Sequence, residues 1–189
     1  GKNICDYLPE DIRLWSQKVR SIDLSLKSDQ QLAESLAVIS RAVQITNGYV
    51  PRDIQKQSVL ILLDSLTEGK GRLAQIKTGE GKSTITAMLA VAQNIFTGKK
   101  IDIITSSAPL ARRDSEEQGL FYELFDLNCD HNITKPSDPF IGAKPCYTSD
   151  IVYGDSLSFQ SDLLRSEFKG LGTRGDRKFE AVIVDEVDS

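Results

Sequence analysis

Cysteine is scarce: Cys5, Cys129 and Cys146 are the only three in 189 residues, and no Cys-x-x-Cys pair occurs. So odd and sparse a set is no disulfide framework and points to a reduced, intracellular protein, with the cytoplasm as the expected compartment. No apolar run reaches the roughly 18 residues that a membrane span requires. The opening GKNICDYLPED has no signal-peptide core. A basic excess is missing too. With 23 Lys and Arg against 27 Asp and Glu, the formal net charge is −4, which gives no global electrostatic reason to hold nucleic acid or an anionic membrane. Local basic patches stay compatible with that balance. Cys129, His131 and Cys146 fall in one loop, but a lone His and no tight Cys pair argue against zinc. The opening glycine and the end at VDEVDS, beside a charged motif, suggest a piece of something longer.

What is present is enough for one sizeable core, 40% of the residues being hydrophobic. Residues 1–50 read as a helical segment. LPEDIRLWSQKVRSI carries Pro9 and acids early and basic residues late, matching a helix dipole. Ser28 suits the cap of DQQLAESLAVISRAVQITNG, in which Leu32, Leu36, Ile39, Val43 and Ile45 form a stripe that Gly48 ends. Pro51 suits the first turn of a third helix, RDIQKQSVLILLDSLTEG.

After Gly71 the pattern changes. RLAQI, KIDIITSS, DIVYG and FEAVIVDE are short β-rich runs, separated by GKSTITAMLAVAQNIF, LARRDSEEQGLFYELF and LSFQSDLLRSEF. Strand alternating with helix predicts α/β architecture, a parallel sheet with helices on both faces, over 51–189. The Pro-, Asp- and Asn-rich NCDHNITKPSDPFIGAKPCYTSD reads as a surface loop.

Between the first such run and the next helix lies Thr78-Gly79-Glu80-Gly81-Lys82-Ser83-Thr84. Glycines let successive backbone N–H groups face one point and let the chain approach a phosphate without a Cβ in the way. A helix starting near Lys82 adds unsatisfied N–H groups and a positive dipole end. Lys82 can then reach the β- and γ-phosphates of a triphosphate, and the Ser83 hydroxyl can ligate Mg²⁺. The general phosphate-loop pattern asks for glycine where this chain has Ile76, a relaxation that helicase-like motors share. The second half of such a site is an acid at the tip of another apolar strand, and AVIVDEVDS supplies it. Asp185 is expected to hold Mg²⁺ through its shell, and Glu186 to position and polarise the attacking water. Ala181–Val184 is expected to lie beside the phosphate-loop strand.

These stretches, in this order, resemble the nucleotide-binding domain of SecA, the bacterial preprotein translocase ATPase of helicase superfamily 2. KTGEGKS looks like that family's phosphate loop, with Glu80 between the glycines. PLARRD is similar to its YLAKRD, through Leu110, Ala111, Arg113 and Asp114. DIVYGDSLSFQSDLLR resembles DITYGTNNEFGFDYLR, keeping Ile151, Tyr153, Gly154, Phe159, Asp162, Leu164 and Arg165. VDEVDS matches the Walker B signature, and GYVPRDIQ is similar to the adenine-recognition stretch GMRHFDVQ through Gly48, Asp53, Ile54 and Gln55. Val50 and Arg52 depart from it, and the family's Asn-Asn pair after Tyr-Gly is lost in the stretch that follows Gly154.

The resemblance implies a RecA-like P-loop NTPase domain, incomplete at its C-terminal end, that binds ATP and Mg²⁺. It implies adenine contact by Gln55, phosphate contact by residues 78–84, and hydrolysis carried by Lys82 and Glu186. It further implies a second RecA-like domain supplying arginine fingers, unfolded preprotein and a membrane translocon as partners, and peripheral membrane association. Arg112 and Arg113 read as surface or interdomain contacts. A nucleic-acid helicase and a nucleotide-gated scaffold share the same loop and acids and are the rival readings.

Overall fold

The computed structural model describes residues 2–20, 28–67, 70–77, 79–134 and 142–186. Local chemistry sets most element ends. Pro9 opens α1 (Pro9–Arg20), with Glu10 and Asp11 in the first turn and Lys18 and Arg20 in the last. Helix α2 (Asp29–Asn47) begins at a capping box, in which Ser28 Oγ accepts the Gln31 N–H and the Gln31 side chain accepts the Ser28 N–H. It ends on Gly48 in the left-handed conformation, φ 76°. Helix α3 spans Asp53–Thr67. Pro51 therefore precedes the helix instead of lying in its first turn. The Gln55 Oε1 atom accepts the Arg52 N–H at 2.8 Å there, closing the entry to α3.

Two compact units organise the chain: Gly1–Gly98 with Leu120–Asp126, and Lys99–Gly119 with Leu127–Ser189. The first holds α1 to α3 and α4 (Lys82–Thr97). Helix α4 is apolar around nearly its whole girth, and Thr84–Phe96 is buried throughout, as befits a core helix. Ile12, Val38, Ile39, Ala42, Val59, Met88, Val91 and Ile95 are buried in this unit. Phe121, Tyr122 and Phe125 are buried there as well. The Phe125 carbonyl accepts from Ser16 Oγ at 3.1 Å and from the Arg20 guanidinium at 2.9 Å.

The second unit is a four-stranded parallel sheet, order β2-β3-β1-β4, with β1 Ile101–Thr105, β2 Cys129–His131, β3 Ile151–Asp155 and β4 Ala181–Val184. Helix α5 (Ala108–Glu123) follows β1, its last turn grouping with the first unit, and α6 (Ser156–Glu167) follows β3. The alternation of strand and helix thus gives the parallel α/β fold that the sequence predicts.

Two expectations are corrected. The run RLAQI forms no strand: 71–77 is irregular and largely exposed, with Leu73 at 79%. A strand exists only in a ladder that satisfies its backbone, and among the described residues β4 has β1 as its one sheet neighbour. Val182 and Val184 accordingly remain 55% and 46% exposed, not buried beside a phosphate-loop strand. The loop expected over NCDHNITKPSDPFIGAKPCYTSD is also partly structured. Cys129–His131 pairs with Ile151–Tyr153, and Pro145–Thr148 forms a 3₁₀ turn with Cys146 and Tyr147 buried.

Among the described residues of this unit, buried charges have partners. Asp102, in the middle strand, meets Arg177 Nε at 2.8 Å and Arg174 at 3.4 Å. Asp162, fully buried, accepts from Lys144 Nζ at 2.7 Å and Tyr147 OH at 2.8 Å, with Arg165 at 3.3 Å. Such groups are tolerable in a core because each is paired.

Candidate functional site

The glycine loop sits in the first unit, ahead of α4. Gly79 and Gly81 both have positive φ, 84° and 76°, which glycine adopts without the usual Cβ penalty. At Gly81 a Cβ would also lie 2.5 Å from Gln55 Nε2, so space and backbone both demand glycine. No side chain among the described residues caps α4, in contrast with the capping box of α2 and with α6, whose N–H at Ser158 is taken by Asp155. The start of α4 therefore has the donor set and dipole sign that suit an anion.

Two residues of the α3 entry hold this loop. The Gln55 Nε2 amide donates to the Glu80 carbonyl at 2.9 Å while its Oε1 serves the Arg52 N–H. Gln55 is 3% exposed, so it is not an ordinary surface residue. Arg52 contacts the Glu80 carboxylate at 2.9 Å and the Gly79 carbonyl at 3.5 Å. Thr84 is buried and shares a hydrogen bond with Tyr49 OH at 2.7 Å. Gln55, Gly79, Glu80, Gly81 and Thr84 are thus brought together, with Lys82 and Ser83 on the first turn of α4. Thr78 lies outside the described residues. Sequence reasoning missed Tyr49 as a loop partner and saw Arg52 only as a departure. The signal available was their position, flanking Val50-Pro51 immediately before Gln55.

The acid pair belongs to the second unit. The Asp185 N–H donates to the Ile104 carbonyl at 2.8 Å, carrying the β4 ladder one residue past Val184. Asp185 and Glu186 therefore stand at the carboxyl end of a parallel strand, the edge where open α/β sheets bind ligands. Glu186 has φ 58°. A left-handed Glu is uncommon, and such strain gathers at functional positions. At the same edge, β1 ends in Thr105 and β3 in Asp155.

Other motif residues act in the framework. A Cβ on Gly154 would meet Phe159 at 2.7 Å and clash with Asn132, so this glycine allows close packing. Asp114 is buried against Arg113 at 2.7 Å. Asp155 caps α6, its side chain accepting the Ser158 N–H. Burial pushes the Cys146 thiol up to about 12, and Cys129 also well above the usual thiol range, so both are inert side chains. Among the described residues no three His, Cys, Asp or Glu gather as a metal cluster. The Ser83 hydroxyl, in the first unit, and the Asp185 carboxylate, in the second, are each hard oxygen donors of the kind that suits Mg²⁺. No helix among the described residues is long and apolar enough to cross a membrane.

The SecA DEAD-like domain family model matches residues 7–189. Among similar curated proteins, the protein translocase subunit SecA of Stutzerimonas stutzeri (strain A1501) is 35% identical over 162 residues, covering 85% of this chain and 17% of that protein. The same subunit of Desulfotalea psychrophila (strain LSv54 / DSM 12343) is 37% identical over 84% of this chain and 18% of its own length. That of Sulfurovum sp. (strain NBC37-1) is 35% identical over 92% and 19%. The chain spans less than a fifth of the length of these relatives.

Proposed function

The chain belongs to the SecA DEAD-like domain family, and from that premise we propose that it is the ATP-binding half of a motor that couples hydrolysis to movement of a polypeptide. The observation that carries this reading is the loop at Gly79–Ser83: two glycines in left-handed conformation run into a helix that no described side chain caps. Residues 51–189 are read as the first RecA-like domain and 1–50 as its helical preface.

Main-chain N–H groups of the loop bind the phosphate oxygens, with residues 78–84 forming the cradle. Lys82 balances charge on the β- and γ-phosphates. Ser83 and Asp185 would hold Mg²⁺, which when bound would supply charge neutralisation to the phosphate oxygens. Glu186 orients the attacking water and draws on its proton. A carboxamide has two donor hydrogens and two acceptor lone pairs, so Gln55 can brace Glu80 and still meet an adenine edge.

In the whole protein a second RecA-like domain supplies the arginine that stabilises transition-state charge, and preprotein and a membrane translocon are the partners. The 189-residue chain alone should then bind nucleotide weakly and turn it over very slowly. Titration with labelled ATP, with and without Mg²⁺, alongside a turnover assay tests this; brisk hydrolysis by the chain alone would contradict it. The motor step is tested in the full-length protein by Glu186→Gln. Loss of polypeptide translocation with retained ATP binding supports the motor. Unchanged translocation points to a nucleotide-gated scaffold, and a steeply salt-sensitive stimulation by RNA or DNA points to a helicase.

A further inference from the structure

The loop that is to receive a polyanion carries an acid at its centre. Glu80 lies between the two glycines, and a carboxylate there repels phosphate oxygens approaching the same amides. Among the described residues its charge is met by Arg52, at 2.9 Å. Arg52 also reaches the Gly79 carbonyl at 3.5 Å, and its own N–H is fixed by Gln55, whose other end holds the Glu80 carbonyl. Residues 52 and 55 therefore grip 79 and 80 through side chain and backbone at once. The similar stretch GMRHFDVQ has Phe where this chain has Arg52, so the pairing is a property of this chain and not of the motif.

We propose that Arg52 is a positioning residue of the phosphate loop: its guanidinium neutralises Glu80 and ties it away from the amide cup, which keeps the loop open to a nucleoside triphosphate. This rests on the phosphate-site reading above. Arg52 acts through Glu80, and its charge counts most at low ionic strength, since the pair is half exposed and screened by salt.

The test is a double-mutant cycle on the 189-residue chain, titrated with a fluorescent ATP analogue and Mg²⁺ at low and high salt, with circular dichroism to check each fold. Arg52→Ala should weaken binding about five- to tenfold at low salt and much less at high salt, while Arg52→Lys keeps most of the affinity. In a Glu80→Gln background, Arg52→Ala should change affinity less than twofold, because the charge it offsets is gone. An equal loss in both backgrounds would mean that Arg52 touches the nucleotide directly, and no loss in either would mean that the ion pair is idle; each overturns the proposal. Lys82→Ala separates this from the underlying reading. If wild type binds and Lys82→Ala does not, the phosphate site stands and only the role of Arg52 is at issue. If wild type shows no binding, both fall together.

Discussion

Gln55 Nε2 donates to the Glu80 carbonyl at 2.9 Å, and the same amide nitrogen stands 2.5 Å from where a Cβ on Gly81 would be. The helix that follows the N-terminal segment is thereby coupled to the glycine loop through one buried carboxamide. Gly81→Ala should cost about 2 kcal/mol, from the left-handed backbone and the clash combined. Gln55→Ala in that background should recover the steric part, and denaturant unfolding of the two variants and the double measures it. An additive double would contradict the contact.

Glu186 presents the opposite case, a non-glycine residue in the left-handed region at φ 58°. Glu186→Gly relieves backbone strain and should leave the chain as stable or more stable by up to about 1 kcal/mol, whereas Glu186→Gln keeps the strain and changes little. Both should abolish ATP hydrolysis in the full-length protein. A thermal scan that finds Glu186→Gly clearly destabilised would show that this turn carries no strain.

The ion cluster under β1 makes a stability prediction. Arg177 ties Asp102 to the carbonyls of Ile101 and Ser149. Arg177→Met should cost about 3 kcal/mol, because it leaves the buried Asp102 carboxylate with only the more distant Arg174 guanidinium at 3.4 Å. Combined with Asp102→Ala it should cost far less than the two single losses added. Urea unfolding of the three variants reads the difference.

Thiol chemistry separates the cysteines. Cys5 is exposed and Cys146 buried, and with the Cys146 thiol raised to about 12 its thiolate fraction at pH 8 is on the order of 10⁻⁴. A maleimide should label Cys5 promptly and Cys146 only on unfolding. The sign of the pH effect follows. An unfolded thiol ionises near 8.5 while the native one keeps its proton to about 12. The stability from protonated Cys146 is full below about pH 8.5 and is lost as pH rises toward 12. Cys146→Ala should flatten that alkaline decline; rapid labelling of native Cys146 would refute the burial.

Much of this was legible in advance. Ser28, Gly48 and Pro9 mark helix ends by local hydrogen bonding and φ preference, which act over a few residues. The β-branched runs at 101–105 and 151–155 announce strands because the middle of a parallel sheet needs them, and 181–184 announces the strand that pairs with β1. Cys129-Asp130-His131 carries no such signal: its strand is made by pairing with β3, a contact distant in sequence. RLAQI misleads for the converse reason, having strand-like composition without a ladder among the described residues. At the site, Gly-x-Gly-Lys-Ser foretold the loop, since glycine is required there by backbone angle. That Gln55 and Arg52 grip Glu80 depended on how the α3 entry meets the loop, which spacing does not encode.

The measurement that bears most directly on the central claim is the response of backbone amide resonances to nucleotide. On titrating the chain with ATP, the amides of Gly79, Gly81, Lys82 and Ser83 should shift together, and addition of Mg²⁺ should extend the response to Asp185 and Glu186. Lys82→Ala should remove both. Amides of the glycine loop that stay unmoved while shifts gather elsewhere, or a response that survives Lys82→Ala unchanged, would contradict the assignment of this loop as the triphosphate site.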